Sequence, residues 1–172
     1  MRNVILIDGS NFYYKLKDLK LHNKIFDYRA FCSWLTEGQK YSCTYYVGAV
    51  RQQEGDAKSK KMYAKQRAFL SSLKKQGVRI ELGYIMKSDG YHEKGVDVKI
   101  AVDLLTGAYE NRYDKVLLVS SDTDLIPAIE KVIQKRKIVE YIGFSHLKSF
   151  ALAKRSSSSR LLHKKDLEKF TG

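Results

Sequence analysis

Short apolar runs alternate along this chain with longer stretches of helical periodicity, and this alternation restricts the possible folds more than any other feature. Runs rich in Val, Ile, Leu and Tyr predict strands over residues 3–7, 42–50, 78–83, 115–120 and 137–143. Helical patterns fill the intervals, over residues 11–21, 28–37, 56–76, 95–110 and 124–136. Strands that alternate with helices in this way are typical of βαβ units and a parallel sheet.

Right-handed crossovers between these strands predict a three-layer α/β/α, Rossmann-like fold with a mainly parallel sheet of about five strands. A strand order of 3-2-1-4-5 would place the first and fourth predicted strands side by side. Residues 84–93, with the turn signal Ser88-Asp89-Gly90, are expected to form a loop. We expect one domain over residues 1–150 and a basic C-terminal tail over residues 151–172 that could include a short helix.

Aspartates stand where predicted strands end and helices begin. Asp8 follows the first strand, and Asp122 and Asp124 follow the fourth. Asp97 opens a helix. Because ligands of open α/β sheets bind outside the carboxyl ends of the strands, these carboxylates should converge. Mg²⁺ and Mn²⁺ prefer oxygen ligands, and hydrolysis of a phosphodiester is chemistry that uses such a cluster. We therefore expect all four aspartates to be metal ligands and catalytic residues of one site.

Each aspartate also has a purely structural explanation. Asp8 before Gly9 suits a turn, and Asp122 or Asp124 could cap the helix that follows. Asp97 at a helix start favours the helix dipole whatever the function. The occurrence of all four at strand and helix ends that a doubly wound sheet would gather favours a functional site.

Three further polar residues could support this site. Asn11 could hydrogen-bond a phosphate, fix a carboxylate or cap the first helix. Lys94 could reach a phosphate, although a lone lysine among 32 basic residues is usually just surface. Asp103 lies six residues beyond Asp97, which is a different face of a helix, so a solvated position is its simplest explanation.

The charge of the chain indicates a polyanionic partner. Lys and Arg total 32 against 19 Asp and Glu, for a net charge of +13, and such an excess attracts phosphate polyanions. The helix predicted over residues 56–76 has seven cations and, after its first residue, no acid. Although a solvated helix face is the alternative, the imbalance favours RNA binding. The candidate RNA-binding residues are Lys58, Lys60, Lys61, Lys65 and Arg67.

Tyrosine side chains could add stacking to this electrostatic attraction. Exposed tyrosines are able to stack on unpaired bases. Tyrosine is more often part of the core in a composition like this one, so stacking has weaker support than phosphate contact. The candidates are Tyr13, Tyr14, Tyr84 and Tyr91.

The N-terminal residues and the cysteines favour a cytoplasmic protein. No charged segment followed by an apolar stretch and a small-residue cleavage site begins the chain, so no signal peptide is expected. No apolar run approaches the roughly 20 residues of a membrane span, so no membrane partner is expected. The two cysteines, Cys32 and Cys43, lack metal-ligand spacing and suit a reducing compartment.

Three motifs, in this order along the chain, resemble the NYN domain family of PIN-like nucleases. They are Ile7-Asp8-Gly9-Ser10-Asn11, Lys94-Gly95-Val96-Asp97 and Ser120-Ser121-Asp122-Thr123-Asp124-Leu125. The resemblance spans about residues 3–143. It implies a PIN-like α/β/α fold and cleavage of RNA that depends on Mg²⁺ or Mn²⁺.

The resemblance also bears on single residues. The family's acidic positions match Asp8, Asp97, Asp122 and Asp124, and supporting polar positions match Asn11 and Ser121. Many members carry an aspartate in the helix at the position of Asp103. The family pattern often reads Ser-Gly-Asp-Ser-Asp-Phe, and Ser121 in place of the glycine could alter how closely a phosphate approaches the backbone.

Together these features predict a metal-dependent ribonuclease, an endonuclease that hydrolyses single-stranded or structured RNA. A homodimer would be unsurprising. The main alternative is an RNA-binding or adaptor module with little turnover. A nucleophilic-aspartate phosphatase is disfavoured because Ser10 stands where a second aspartate would be expected, and no G-x-G-x-x-G turn supports a dinucleotide enzyme.

Overall fold

The computed structural model describes residues 1–87 and 91–172, and for residues 84–87 and 91–93 it describes the backbone alone. The predicted turn Ser88-Asp89-Gly90 lies outside the described residues. The strands are β1 (Asn3–Asp8), β2 (Tyr41–Gly48), β3 (Arg79–Lys87), β4 (Tyr91–Lys94), β5 (Lys115–Val119), β6 (Ile138–Phe144) and β7 (Ser158–Leu162). The helices are α1 (Gly9–Asp18), α2 (Tyr28–Leu35), α3 (Ala57–Lys75), α4 (Val96–Tyr109), α5 (Ile126–Gln134), α6 (Phe150–Arg155) and α7 (Lys164–Glu168). A 3-10 turn (Thr123–Leu125) precedes α5.

Within the described residues, the seven strands form one sheet in the order β4-β3-β2-β1-β5-β6-β7. Neighbouring strands are parallel except for the antiparallel pair of β3 and β4. The predicted three-layer α/β fold with a mainly parallel sheet is confirmed, and β3-β2-β1-β5-β6 is the predicted order of the five strands.

The sheet has two more strands than the five expected, one at each edge. The segment expected to be a loop contributes the end of β3 and all of β4, which pair antiparallel from Tyr84 with Lys94 to Lys87 with Tyr91. The expected tail contributes β7, which pairs parallel to β6. Their polar sequences, YHEK and SSRLL, lack the apolar run of a central strand. Edge strands take much of their stability from the ladder with their neighbour, which single-sequence patterns do not reveal.

The sheet separates two apolar cores. One core joins Ile5 and Ile7 of β1 to α1, α2, α3 and α7, and the other joins Leu6 of β1 to α4, α5 and α6. This alternation follows from the two-residue period of a strand. Because both faces are covered, the central strands β1 and β5 are almost continuously apolar.

The candidate site residues lie where the parallel strands β1, β2, β5 and β6 end; we call this side of the sheet the carboxyl edge. The helix α1 begins there directly after β1. A Cβ atom at Gly9 would lie 2.4 Å from Cε1 of Tyr45 and 2.5 Å from the carbonyl oxygen of Tyr46. Only glycine therefore allows α1 to begin this close to β2. Among the described residues, no helix combines the length and the apolar character required to cross a bilayer.

Candidate functional site

A cavity of about 480 Å³ opens at the carboxyl edge, beside the ends of β1 and β5. Residues from all three sequence motifs line it. Its wall includes Asp8, Asn11, Tyr14, Lys94, Asp97 and Asp122. Carboxylates that are up to 114 residues apart in the sequence therefore share one concave surface, as the strand order requires.

Three carboxylates form a cluster at this cavity. One oxygen atom from each of Asp97, Asp122 and Asp124 lies within 4.8 Å of the others. The first two side chains are half-buried and Asp124 is exposed. Asp97 belongs to the first turn of α4, whereas the other two lie at the start of the 3-10 turn after β5. Separate elements of the fold thus supply the cluster.

Asp8 enters the same cavity from β1 and accepts hydrogen bonds from Asn11 and Ser120. The backbone N–H of Asn11 donates to Oδ1 at 3.2 Å, and the hydroxyl of Ser120 donates to Oδ2 at 3.0 Å. The side chain is only 7% exposed. Burial together with two donors holds the carboxylate in one orientation.

Ser120 joins two of the aspartates, and the sequence interpretation missed it. This fully buried residue donates to Asp8 and accepts from the backbone N–H of Asp122 at 3.2 Å. The available signal was its position, because a hydroxyl directly after the apolar β5 and before an aspartate has few partners except the groups at that strand end.

The capping explanation holds for two of the aspartates without removing them from the cavity. Asp8 caps α1, and Asp122 caps the 3-10 turn by accepting from the N–H of Asp124 at 2.9 Å. Asp97 is not a cap, because Gly95 occupies that position with a φ of 80° and makes no side-chain capping bond. Each carboxylate has several lone pairs, so capping leaves acceptor capacity for a ligand.

The chemistry of the cluster suits a hard divalent cation. All the donors are carboxylate oxygens, which Mg²⁺ and Mn²⁺ prefer. Three carboxylates this close repel one another, and a bound cation would relieve that repulsion. The helices α1 and α4 and the 3-10 turn all begin here, so their positive dipole ends also favour an anion such as phosphate.

The predicted supporting residues have distinct environments. Asn11 accepts from the backbone N–H of Ser121 at 3.2 Å, which ties the start of α1 to the end of β5 and leaves the amide NH₂ as a donor. The Ser121 hydroxyl lies 3.3 Å from the hydroxyl of Tyr141. Lys94 is exposed in the cavity wall, immediately before the turn that carries Asp97.

Asp103 has a structural partner instead of the solvated position that helical periodicity indicated. It accepts a hydrogen bond of 2.5 Å from the hydroxyl of Tyr46, which is fully buried and lies beside Asp8 in the sheet register. Burial, followed by the hydrogen bond to Asp103, raises the pKa of Tyr46 well above its ordinary value. The hydroxyl therefore stays protonated and connects α4 to β2 close to Asp8.

A basic surface lies on α3, which follows the end of β2. Only Ser59 and Leu73 are buried in this helix of 19 residues. The side chains of the five candidate RNA-binding residues, which we call the α3 cations, are exposed: Lys58, Lys60, Lys61, Lys65 and Arg67. In the described part of the chain, no ion pair includes any of them.

The cations of the C-terminal segment differ, because several of them are already neutralised. Arg155 contacts Glu130 at 2.6 Å, Arg160 contacts the buried Glu140 at 2.8 Å, and Lys169 contacts Asp166 at 3.4 Å. In the described residues, α3 therefore has more cations outside ion pairs than the C-terminal segment has.

Comparison with known proteins gives a family and a structural relative. A family model described as the NYN domain matches residues 2–166. The crystal structure of a protein of unknown function from Vibrio parahaemolyticus is similar, with a TM-score of 0.71 and 27% sequence identity. The similarity covers 99% of this chain and 96% of that chain. No curated protein matches the chain.

Proposed function

The chain belongs to the NYN domain family, and from that premise we propose that it is a metal-dependent ribonuclease that hydrolyses RNA phosphodiesters as an endonuclease. The family is nuclease-like, and the cavity at the carboxyl edge has the acidic groups that this chemistry uses. The position of this cavity, at the reversal of strand order, is where ligands of open α/β sheets bind.

The observation that carries the proposal is the cluster of Asp97, Asp122 and Asp124, with an oxygen of each within 4.8 Å of the others. Capping and helix dipoles account for these aspartates singly, but they do not account for three mutually repelling carboxylates in one cavity. Their proximity is useful if they hold a cation against a phosphate. Asp8 adds a fourth carboxylate to the same cavity.

The roles of the residues follow from their positions. The clustered aspartates and Asp8 would hold Mg²⁺ or Mn²⁺. The bound ion would supply a Lewis acid that stabilises the charge developing on the phosphate oxygens. Asn11 and Lys94 line the cavity as donors and would orient the phosphate, and Ser120 fixes Asp8. Asp103 acts through Tyr46 as a positioning residue for α4, and therefore for Asp97.

The α3 cations would bring RNA to the cavity. They are exposed, and no acid among the described side chains pairs with them, so they remain available for the phosphate backbone, whose contacts set affinity without specifying sequence. Recruitment by α3 and cleavage at the carboxyl edge would then be separate properties of the same domain.

Cleavage of a labelled RNA that contains a hairpin and a single-stranded region tests the proposal. The wild type, Asp97→Asn and Asp122→Asn are compared in Mg²⁺, in Mn²⁺ and in EDTA. Asp18→Asn is the matched control, since its exposed carboxylate lies at the far end of α1. We expect cleavage that needs the metal, a loss of more than about 100-fold in both cluster variants, and full activity in the control.

The opposite result would favour the binding alternative. Metal-independent cleavage, or cleavage that survives both cluster substitutions, would contradict metal-dependent catalysis at this cluster. Absence of cleavage with tight RNA binding would support an adaptor module. A homodimer and a cytoplasmic location stay predictions. Light scattering of the purified chain tests the first, and fractionation of cells tests the second.

A further inference from the structure

Tyr14 is an exposed aromatic side chain in the wall of the acidic cavity. It lies on α1 beside Asn11 and shares the cavity with Asp97 and Asp122. Its ring is 60% exposed, whereas the same helix buries Phe12 and Leu16. Tyr14 follows Phe12 by two residues, a rotation of about 200° around the helix. The core therefore does not explain why an aromatic residue stands at this position.

The ring of Tyr14 contacts one neighbouring aromatic ring among the described residues. Its centroid lies 5.7 Å from that of Tyr13, at an interplanar angle of 71°. Tyr13 in turn packs edge to face on His22, with 5.9 Å between centroids. Edge-to-face pairs of this kind are favourable. The Tyr14 ring keeps this contact while most of its surface stays exposed to solvent.

A stacking surface at this location matches the nucleic acid that the cavity would hold. Exposed aromatic faces stack on unpaired bases, at about 1–3 kcal/mol per base, with little dependence on sequence. In an RNA duplex the bases are already stacked on one another, and mainly the backbone and the minor groove are accessible. An aromatic ring beside a phosphate site therefore distinguishes single-stranded from double-stranded RNA.

We propose that Tyr14 stacks on an unpaired base of the RNA held at the carboxylates, and that it selects single-stranded over duplex RNA. This inference rests on the proposed function, since the carboxylates would hold the phosphate next to that base. It adds a base contact to a site whose other groups are directed at phosphate, and it gives the substrate class as unpaired RNA.

The test compares Tyr14→Ala with Tyr14→Phe, which keeps the ring and removes the hydroxyl. Tyr109→Ala is the matched control, because that ring is also 60% exposed but lies at the far end of α4. Binding of a labelled single-stranded RNA and of its perfect duplex is measured in the Asp122→Asn background, so that the RNA stays intact. Cleavage of both is measured with Asp122 restored.

We expect Tyr14→Ala to weaken binding of the single strand about tenfold, with duplex binding unchanged. Tyr14→Phe and Tyr109→Ala should bind both RNAs as the parent does. In cleavage, the ratio of kcat/KM for single strand over duplex should fall by the same factor. A strand made only of abasic nucleotides should bind the parent and Tyr14→Ala with equal affinity, because it offers no base to the ring.

Other results would overturn the inference. Equal losses on single strand and duplex would assign Tyr14 a structural role, and equal effects of Tyr14→Phe and Tyr14→Ala would assign the contact to its hydroxyl. If Tyr14→Ala bound both RNAs as tightly as the parent does, a contact between Tyr14 and the RNA would be excluded. The proposed function can fail separately: if no metal-dependent cleavage is found while the abasic and Tyr14→Ala patterns hold, the stacking contact stands in a protein that binds RNA without cutting it.

Discussion

The helices α3 and α4 differ in how they combine packing and charge. The longer, α3, buries two of its 19 residues and carries the exposed α3 cations. The shorter, α4, buries five of 14 residues and carries Asp97 and Asp103. Its single cation, Lys99, contacts Glu81 at 3.6 Å. The surface proposed to recruit RNA and the helix proposed to supply a catalytic aspartate should therefore differ in their tolerance to substitution, because α3 is mostly solvated and α4 is packed on the sheet.

The largest expected contrast is in stability. Leu104 is fully buried on α4, and Leu104→Ala should lower the free energy of unfolding by about 2–5 kcal/mol, because it removes apolar packing and leaves a cavity. Met62 on α3 is 50% exposed, and Met62→Ala should change the free energy of unfolding by about 0.5 kcal/mol or less. Urea unfolding measures both. Similar losses of stability in the two variants would mean that α3 packs in solution against another molecule.

The hydrogen bond between Tyr46 and Asp103 tests whether α4 needs a fixed position. Asp103→Ala leaves a buried hydroxyl without its acceptor and should cost about 1–3 kcal/mol of stability, with reduced cleavage. Asp103→Asn keeps an acceptor for the Tyr46 hydroxyl. This variant should therefore keep most of the stability and most of the cleavage activity. If Asp103→Asn abolished cleavage while the protein remained stable, Asp103 would act as a metal ligand instead of a positioning residue.

The same pair predicts a change at alkaline pH. Because burial and Asp103 raise the pKa of Tyr46 in the folded state, the native protein retains this proton above about pH 10 while the unfolded chain loses it. The stability that the protonated Tyr46 hydroxyl contributes is complete below pH 10 and declines as the pH rises above it. Wild type should therefore lose stability more steeply above pH 10 than Tyr46→Phe does. Stability is measured by urea unfolding at a series of pH values. Parallel curves of stability against pH for wild type and Tyr46→Phe would contradict this prediction.

The α3 cations should affect affinity without affecting stability. Replacing Lys58, Lys60 and Lys61 together by Ala should reduce RNA binding and flatten its dependence on salt, by about 0.7 in the log–log slope for each phosphate that is no longer neutralised. The control replaces Lys164, Lys165 and Lys169, which removes the same charge from a segment where two of the three already pair with acids. Equal losses of affinity in the two triple variants would show that only net charge matters.

The smallest expected effect concerns the cluster in the absence of RNA. Asp122→Asn preserves a capping side chain and removes one of three repelling carboxylates, so without metal its Tm should equal or exceed that of wild type. Mg²⁺ or Mn²⁺ should raise the Tm of wild type by a few degrees and leave the variant unchanged. Equal metal-induced shifts would place the ion elsewhere.

The central fold was predictable because its strands are buried on both faces. The predicted strand of residues 3–7 differs from β1 by one residue, and that of residues 115–120 differs from β5 by one. The edge strands β4 and β7 were not predicted, because the pairing that stabilises them depends on a neighbour distant in sequence.

The candidate site was predictable only to the level of its aspartates. Parallel strands bring their carboxyl ends together, so the approach of Asp8 to Asp122 and Asp124 follows from the strand order. Asp97 reaches the same place on α4, which follows the antiparallel strand β4. The hydrogen bonds that orient the side chains of the site do not follow from the strand order. Ser120 bonds Asp8 over 112 residues, and Tyr46 bonds Asp103 over 57 residues. Such bonds depend on how α4 and β5 pack, which no local pattern specifies.

The pairing of β7 with β6 has a consequence for synthesis on the ribosome. β6 is buried at every position after Ile138, yet its outer ladder is completed only by residues 158–162. At about 5–20 residues per second, translation leaves this apolar edge uncovered for about one to four seconds. An uncovered edge of this kind is a template for joining other chains. A released chain that ends before Ser158 should therefore be bound by chaperones far more than the chain that includes β7.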